Sequence, residues 1–322
     1  MQSTDSVPVS TRVSQVRHIV VDHQHDGQRI DNFLLGVLDG VPRSHVYRLL
    51  RSGQVRVDGG RVKPHRRLRG GETVRVPPVK SEERVVRRPP DDLLRRLRDA
   101  IISEDADYLI IDKPAGLPAH SGSGADFGVI EVVRAWERHD YVELAHRLDR
   151  DTSGIMLLAK SRQALLRAQD AFASGEAGKR YLALCCGAWR GGSREVRDSL
   201  VIEREDGERR VRTGDDGKTA VSEFVPLTTT RWATLCEVRI GTGRMHQIRA
   251  HAESIGHPVA GDRKYGDRQL QRAVRERGQL RRLFLHAHRL ALPATGTFPP
   301  VLAESPLPDE LRAVMTRLEA AR

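Results

Sequence analysis

Two hydrophobic periods divide the chain. Ile30, Phe33, Leu34, Val37 and Leu38 recur at i, i+3, i+4, i+7 and i+8, which predicts an amphipathic helix. Pro42 breaks the chain, and Ser44 is placed to cap a second helix that carries Val46, Leu49 and Leu50 and ends at Gly53. Val55 and Val57 then alternate around Arg56, with Asp58-Gly59 as a hairpin turn, and Val62, Leu68, Val74 and Val76 continue a small twisted sheet. Past residue 100 the apolar positions fall in unbroken runs instead. Tyr108–Ile111, Ile155–Ala159, Tyr181–Leu184 and Trp232–Ile240 predict buried strands. Helices are predicted at about Leu93–Ile101, at Leu165, Ala168 and Phe172 (capped by Ser161, ended by Gly175), after the Gly241–Gly243 turn, and at Asp309–Leu318. In the third of these Ile248 faces inward, and Arg249 is expected about two turns past the glycines. Residues 190–220 are polar and read as a surface hairpin.

These patterns set the expected domains. Residues 1–26 form a flexible leader, 27–77 a compact helix–helix–hairpin unit, 78–99 a linker and 100–322 the larger domain. The linker is bracketed by Pro77-Pro78 and Pro89-Pro90 around a charge-dense run with little apolar content. His23 and His25 beside Asp22 and Asp26 read as a solvated strand end, since no cysteine or fixed spacing supports a metal.

Charge sharpens the picture. The net charge is +11 and the isoelectric point about 10.1, which points to a polyanionic partner, nucleic acid first. Segment 27–77 has 11 Lys/Arg against Asp31, Asp39, Asp58 and Glu72, so +7 of that excess lies in a small folded unit. A unit this basic reads as a phosphate-backbone binder. Cys185, Cys186 and Cys236 are odd in number and lack metal-ligand spacing, so they read as reduced thiols of a cytoplasmic protein. No apolar run approaches 18 residues, and Met1–His18 has no signal-peptide core, so neither a membrane span nor secretion is expected.

The candidate chemistry lies at the mouth of the strand Ile155–Ala159. Arg147, Asp149, Arg150 and Asp151 crowd the loop before it, and Gly154 turns the backbone in. Such charges are paired, solvated or used; spacing alone leaves a solvated turn with surface ion pairs open. The glycine-rich loop 116–124 permits close backbone approach to a ligand but lacks the Walker pattern. Around 244–251, Arg and His suit either a metal or a phosphate without specific spacing. His286 and His288 lack a third ligand and read as structural. No metal and no cofactor are expected.

The wording of these segments goes further. His146-Arg147-Leu148-Asp149 followed by Thr152-Ser153-Gly154 resembles the signature loop of the RluA family of pseudouridine synthases. Lys113-Pro114-Ala115-Gly116, Lys179-Arg180-Tyr181 and Thr242-Gly243-Arg244-Met245-His246-Gln247-Ile248-Arg249 resemble its other signatures, with Met245 where Thr or Ser is usual. His120–Gly124 is closer to the branch acting on large-subunit ribosomal RNA. Segment 27–77 resembles the S4 RNA-binding domain. The resemblance implies an α+β fold: an S4 domain plus a core of mixed, mainly antiparallel sheet with flanking helices. It implies Asp149 as nucleophile, Arg249 as its ion-pair partner, Tyr181 stacking on the target base and Arg147 entering the RNA where the uridine leaves. Arg43, Arg48 and Arg51 would grip structured RNA, and His146 and Asp151 would shape the loop. The implied substrate is 23S ribosomal RNA, with transfer RNA as the alternative and a monomer as the expected state. A non-catalytic S4-type ribosome-assembly protein and a carboxylate nucleoside hydrolase are the rival readings. The hydrolase would need a second acid near Asp149, for which Asp151 is placed by spacing alone.

Overall fold

The structure, a computed structural model, describes residues 11–13, 15–38, 40–82, 88–122, 125–205, 208–214 and 216–321. Two compact units meet in sequence between Arg88 and Pro89.

The first unit contains β1 (Thr11–Val13), β2 (Arg17–Val20), α1 (Ile30–Val37), α2 (Arg43–Arg51), β3 (Arg56–Val57), β4 (Gly60–Arg61), β5 (Thr73–Val76) and β6 (Lys80–Glu82). Ile30, Phe33 and Leu34 of α1 meet Val46, Leu49 and Leu50 of α2 over a sheet ordered β2-β5-β3-β4, so the helical period and the strand alternation close one core. The turn at Asp58-Gly59 has both φ positive, at 46° and 78°, as a two-residue hairpin requires. Helix α2 starts at Arg43 with Pro42 as its cap, so Ser44 lies within the first turn and does not cap it. Asp31 is buried on α1, bonded by Arg29 Nη2 (2.6 Å), Tyr47 Oη (2.6 Å) and Asn32 N (2.9 Å).

Two boundaries need correction. The flexible leader expected over 1–26 is too long: β2 pairs with β5 from Arg17↔Val76 to Val20↔Thr73, and Val21 is buried. Residues 1–10 and 14 of that expectation lie outside the described residues. The linker expected over 78–99 is too long as well. β6 pairs with β1, and Asp91–Asp99 is α3, whose Leu94 and Leu97 enter the larger unit's core. Residues 83–87 lie outside the described residues.

The second unit continues with β7 (Ile101–Glu104), β8 (Tyr108–Lys113), α4 (Val129–Arg134), β9 (Glu143–Leu144), β10 (Ser153–Ala159), α5 (Arg162–Ser174), β11 (Gly178–Cys186), β12 (Arg194–Glu205), β13 (Glu208–Thr213), β14 (Lys218–Thr229), β15 (Ala233–Ile240), α6 (Gln247–Ser254), α7 (Arg268–Gly278), β16 (Leu285–Leu292), β17 (Val301–Glu304) and α8 (Asp309–Ala320). Its sheet runs β13-β12-β14-β15-β11-β16-β10-β8-β7, with β17 on β16 and β9 on β10. Every pairing described is antiparallel except β10 with β16. All seven residues of β10 are buried, as its unbroken apolar run requires. Gly154 pairs with Ala287 there at φ 111°, and a Cβ on it would lie 2.2 Å from the Ala287 carbonyl oxygen. The expected hairpin over 190–220 is β12–β13. It extends the main sheet, and its Leu200 and Val211 pack with Ala250 and Tyr265.

Candidate active site

The loop 146–152 hangs between two anchors. At its start His146 Nε2 accepts from Leu157 N (3.1 Å), so that nitrogen carries no proton. Burial and then the Lys179 charge pull His146 down to about 4, consistent with a neutral, structural ring. At its end the Arg150 carbonyl accepts from Gly116 N (2.8 Å) and from Lys113 Nζ (3.1 Å), and Arg150 Nε returns a bond to Gly116 O (3.1 Å). Lys113 Nζ also donates to the carbonyls of Pro114 (2.9 Å) and Leu117 (2.8 Å). One fully buried ammonium therefore spends its three donors on three backbone oxygens and ties the 113–117 segment to the loop. Burial pulls Lys113 down to about 7, against the fields of Asp149 and Asp151.

Between the anchors the loop turns, with Thr152 N donating to Asp149 O (3.2 Å), and Leu148 packs into the core. That leaves the Asp149 side chain, 22% exposed, facing a cavity with Arg147, Tyr181, His246 and Arg249. Arg249 Nη1 donates to Asp149 Oδ2 (3.2 Å). The guanidinium's other edge is held by Asp262, with Nε to Oδ2 at 2.6 Å and Nη2 to Oδ1 at 2.9 Å, and Tyr265 lies 4.9 Å from its centre. Burial works against the Arg249 charge, yet Asp262 and then Asp149 hold its pKa above the ordinary value. Arg249 lies in the first turn of α6 rather than two turns along, because the helix begins only at Gln247. Ile248 is buried as expected.

Tyr181 is 8% exposed, at the point of β11 facing Val238 on one side and Ala287 on the other. Burial, then the field of Asp149, push its hydroxyl well above its usual range, so at neutral pH it is a phenol and cannot serve as a base. Arg147 is exposed at the rim. Asp151 is exposed outside the lining, and the other carboxylate near the site, Asp262, accepts four hydrogen bonds, two from Arg249 and two from the amides of Lys264 and Tyr265. Neither is placed as a second acid or base.

Three neighbours went unassigned from sequence. His246 caps α6 in the left-handed region (φ 52°), a conformation costing a non-glycine residue about 1 kcal/mol. Its Nδ1 lies 2.9 Å from Tyr265 Oη and its Nε2 3.8 Å from Asp149 Oδ2. Val211 N also donates to that Oη (2.9 Å), so the Tyr265 hydroxyl links the β13 backbone to the His246 ring. Burial lowers the His246 pKa despite Asp149. Asp262 and Tyr265 are the others. Their signal lay in the Gly261-Asp262 and Tyr265-Gly266 dipeptides, but a partner 13 residues away leaves no local period to read.

On the first unit, Arg43, Arg48 and Arg51 lie on the exposed face of α2, and Arg48 and Arg51 line a cleft with Pro42, Ser44, His45 and Ser52. Among the described residues no cluster of metal-ligating side chains occurs, and no helix is long and apolar enough to cross a membrane. Cys185, Cys186 and Cys236 are free and buried, and His286 is held by Ser153 Oγ (2.9 Å) and Ser305.

The family model for RNA pseudouridylate synthase matches residues 107–254, and that for the S4 domain matches residues 28–74. Ribosomal large subunit pseudouridine synthase C of Escherichia coli O157:H7 is 41% identical over 319 residues, 98% of this chain and 100% of the relative. The protein of the same name from Haemophilus influenzae is 39% identical over 96% of this chain and 97% of its own. Among solved structures, human RNA pseudouridylate synthase domain containing 4 matches with a TM-score of 0.58 at 26% identity, over 71% of this chain and 96% of its own.

Proposed function

The chain belongs to the RNA pseudouridylate synthase family and carries an S4 domain, and from that premise we propose that it isomerises uridines of large-subunit (23S) ribosomal RNA with Asp149 as nucleophile. The observation that carries this reading is the asymmetric clamp: Arg249 is fixed by Asp262 on one edge and offers a single N–H to Asp149 on the other. A carboxylate so held is aimed into the cavity while its second oxygen stays free to attack.

In the reaction the bond from ribose C1′ to N1 of uracil breaks and a bond from C1′ to C5 forms. N1 gains a proton and C5 loses one, so nothing is oxidised and no co-reactant is consumed. Asp149 attacks either C1′ or the uracil ring, and its departure regenerates the carboxylate. A base inside a helix is out of reach, so the uridine is flipped, at a cost of a few kcal/mol. Arg147 at the rim fills the gap, and the Tyr181 ring receives the base. Arg43, Arg48 and Arg51 hold phosphates outside the cavity, giving a salt-dependent affinity. Among the described residues no second carboxylate is placed to act beside Asp149, which disfavours a nucleoside hydrolase, and the complete clamp disfavours a non-catalytic assembly factor. The enzyme acts as a monomer in the cytoplasm, where three buried thiols stay reduced.

The test is pseudouridine mapping on unmodified ribosomal and transfer RNA transcripts incubated with the protein, beside Asp149→Asn. Pseudouridine in large-subunit RNA with wild type alone is expected. Product only in transfer RNA would change the substrate. Product from Asp149→Asn at the wild-type rate would remove the nucleophile assignment.

A further inference from the structure

Two lysine side chains are buried among the described residues, and they are provided for differently. Lys113 has three carbonyl acceptors. Lys179 has neither a carboxylate nor a hydrogen-bond acceptor, although it is only 9% exposed. It lies on β11 two residues before Tyr181, so both side chains leave the same face of the sheet. Its Nζ is 5.1 Å from the centre of the Phe172 ring. On another side it meets the turn before α6: a Cβ added to Gly243 would lie 3.3 Å from that nitrogen. Gly243 and Arg244 both line the cavity of Asp149.

The groups around this ammonium are an aromatic face, a glycine, the cationic Arg244 and the neutral His146; its strand neighbours Ile240 and Leu290 are apolar. Burial and then Arg244 pull Lys179 down to about 8, and no acid opposes them. A largely buried cation with no acid near it, in the field of exposed Arg244, costs free energy in the empty protein. The arrangement becomes favourable when an anion with several acceptor oxygens arrives, as a phosphodiester does.

We propose that Lys179 and Arg244 form a subsite for one backbone phosphate flanking the uridine held at Asp149. The proposal rests on the reading of the cavity as a uridine site in RNA. It makes Lys179 a binding residue that anchors the flipped nucleotide from the side of Tyr181, apart from the phosphate contacts of the first unit.

The test uses the full chain with Lys179→Met and, because Arg244 is exposed and its loss cannot unfold the core, Arg244→Gln. On the transcript that wild type modifies, each variant is expected to lose about tenfold in kcat/KM, with KM moving more than kcat. The plot of log affinity against log salt should flatten by roughly 0.7, the share of one phosphate contact to a single strand. The thermal midpoint of Lys179→Met without RNA should rise, because an unpaired buried charge is gone. A wild-type salt slope and KM in both variants, or a lower midpoint for Lys179→Met with an unchanged slope in both, would overturn the subsite. If wild type forms no pseudouridine on any transcript, the activity reading fails separately, and the salt slopes of transcript binding still decide whether Lys179 and Arg244 meet a phosphate.

Discussion

Asp149 and Asp262 face the same guanidinium from opposite ends of its fork, and the segments that carry them are built to different purposes. The Asp262 side chain is fully buried and accepts four hydrogen bonds, two from Arg249 and two from the amides of Lys264 and Tyr265. Asp149 is 22% exposed and receives one side-chain bond, at 3.2 Å. The first carboxylate has both oxygens bonded within the protein, and the second has only Oδ2 bonded, once. The difference matches the proposed roles, holding for Asp262 and reacting for Asp149: with the arginine fixed on Asp262, a single N–H orients Asp149.

The comparison breaks most visibly in activity. With Asp149 as the proposed nucleophile, Asp149→Asn should lower pseudouridine formation by at least about 10³-fold. Its thermal midpoint should stay close to wild type in a melting scan, since Arg249 keeps its bonds to Asp262 and Asp149 accepts only one side-chain bond, at 3.2 Å. Asp262→Asn should do the reverse in stability. Breaking a buried pair by removing one charge costs about 3–5 kcal/mol, read as a shifted denaturant midpoint, and activity should fall with it because Arg249 loses its fixed edge. If Asp262→Asn were as stable as wild type, the division of labour would be wrong.

Lys113→Met sharpens the same point from the other side of the loop. It leaves the carbonyls of Pro114 and Leu117 without this donor, at about 1–3 kcal/mol, and removes one of the three bonds that tie Arg150 to the 113–117 segment. Stability in urea should drop by that amount, and kcat should fall more than KM, because the aim of Asp149 is lost before the RNA contacts are.

The smallest effect concerns a third carboxylate, Asp31 of the S4 unit, which is built on the plan of Asp262. Burial opposes its charge, but Arg29, Tyr47 and the Asn32 amide overcome this and hold it at about 2, below the ordinary 3.8. Its stabilisation, about 2 kcal/mol, is fully present above pH 3.8 and is lost as the pH falls through 2. Acid unfolding of wild type should therefore show a component in that window that Asp31→Asn lacks, with the variant already less stable at pH 7.

Much of this was legible in the chain. The strand Ile155–Ala159, the capped helix from Ser161 to Gly175 and the two helices of the S4 unit are written as local periods, and the structure holds them within a residue or two. The signature loops named Asp149, Arg147, Tyr181 and Arg249, and all four line one cavity. What stayed hidden was non-local. The strand Arg17–Val20 is an edge strand with little buried face of its own, so nothing in its sequence separates it from a polar leader. The partner of Arg249 on its buried edge is defined by contact in space, and nothing in the Gly261-Asp262 dipeptide points to an arginine 13 residues before it. The turn before α6 is held locally, with Gln247 N donating to Arg244 O (3.2 Å) and Arg244 N to Gln247 Oε1 (3.1 Å); the contact of its His246 with Tyr265, 19 residues on, has no sign in the local sequence.

The order of strands has one more consequence, for the ribosome that makes this chain. β16 lies between β10 and β11, yet it is synthesised after both. Until residue 292 has left the exit tunnel, the strand that follows Asp149 and the strand that bears Tyr181 have no common neighbour between them. Gly154 can take its place only against the backbone of Ala287. A growing polypeptide thus displays its S4 unit before it owns a working cavity, because the strand that joins the two halves of that cavity is made after both.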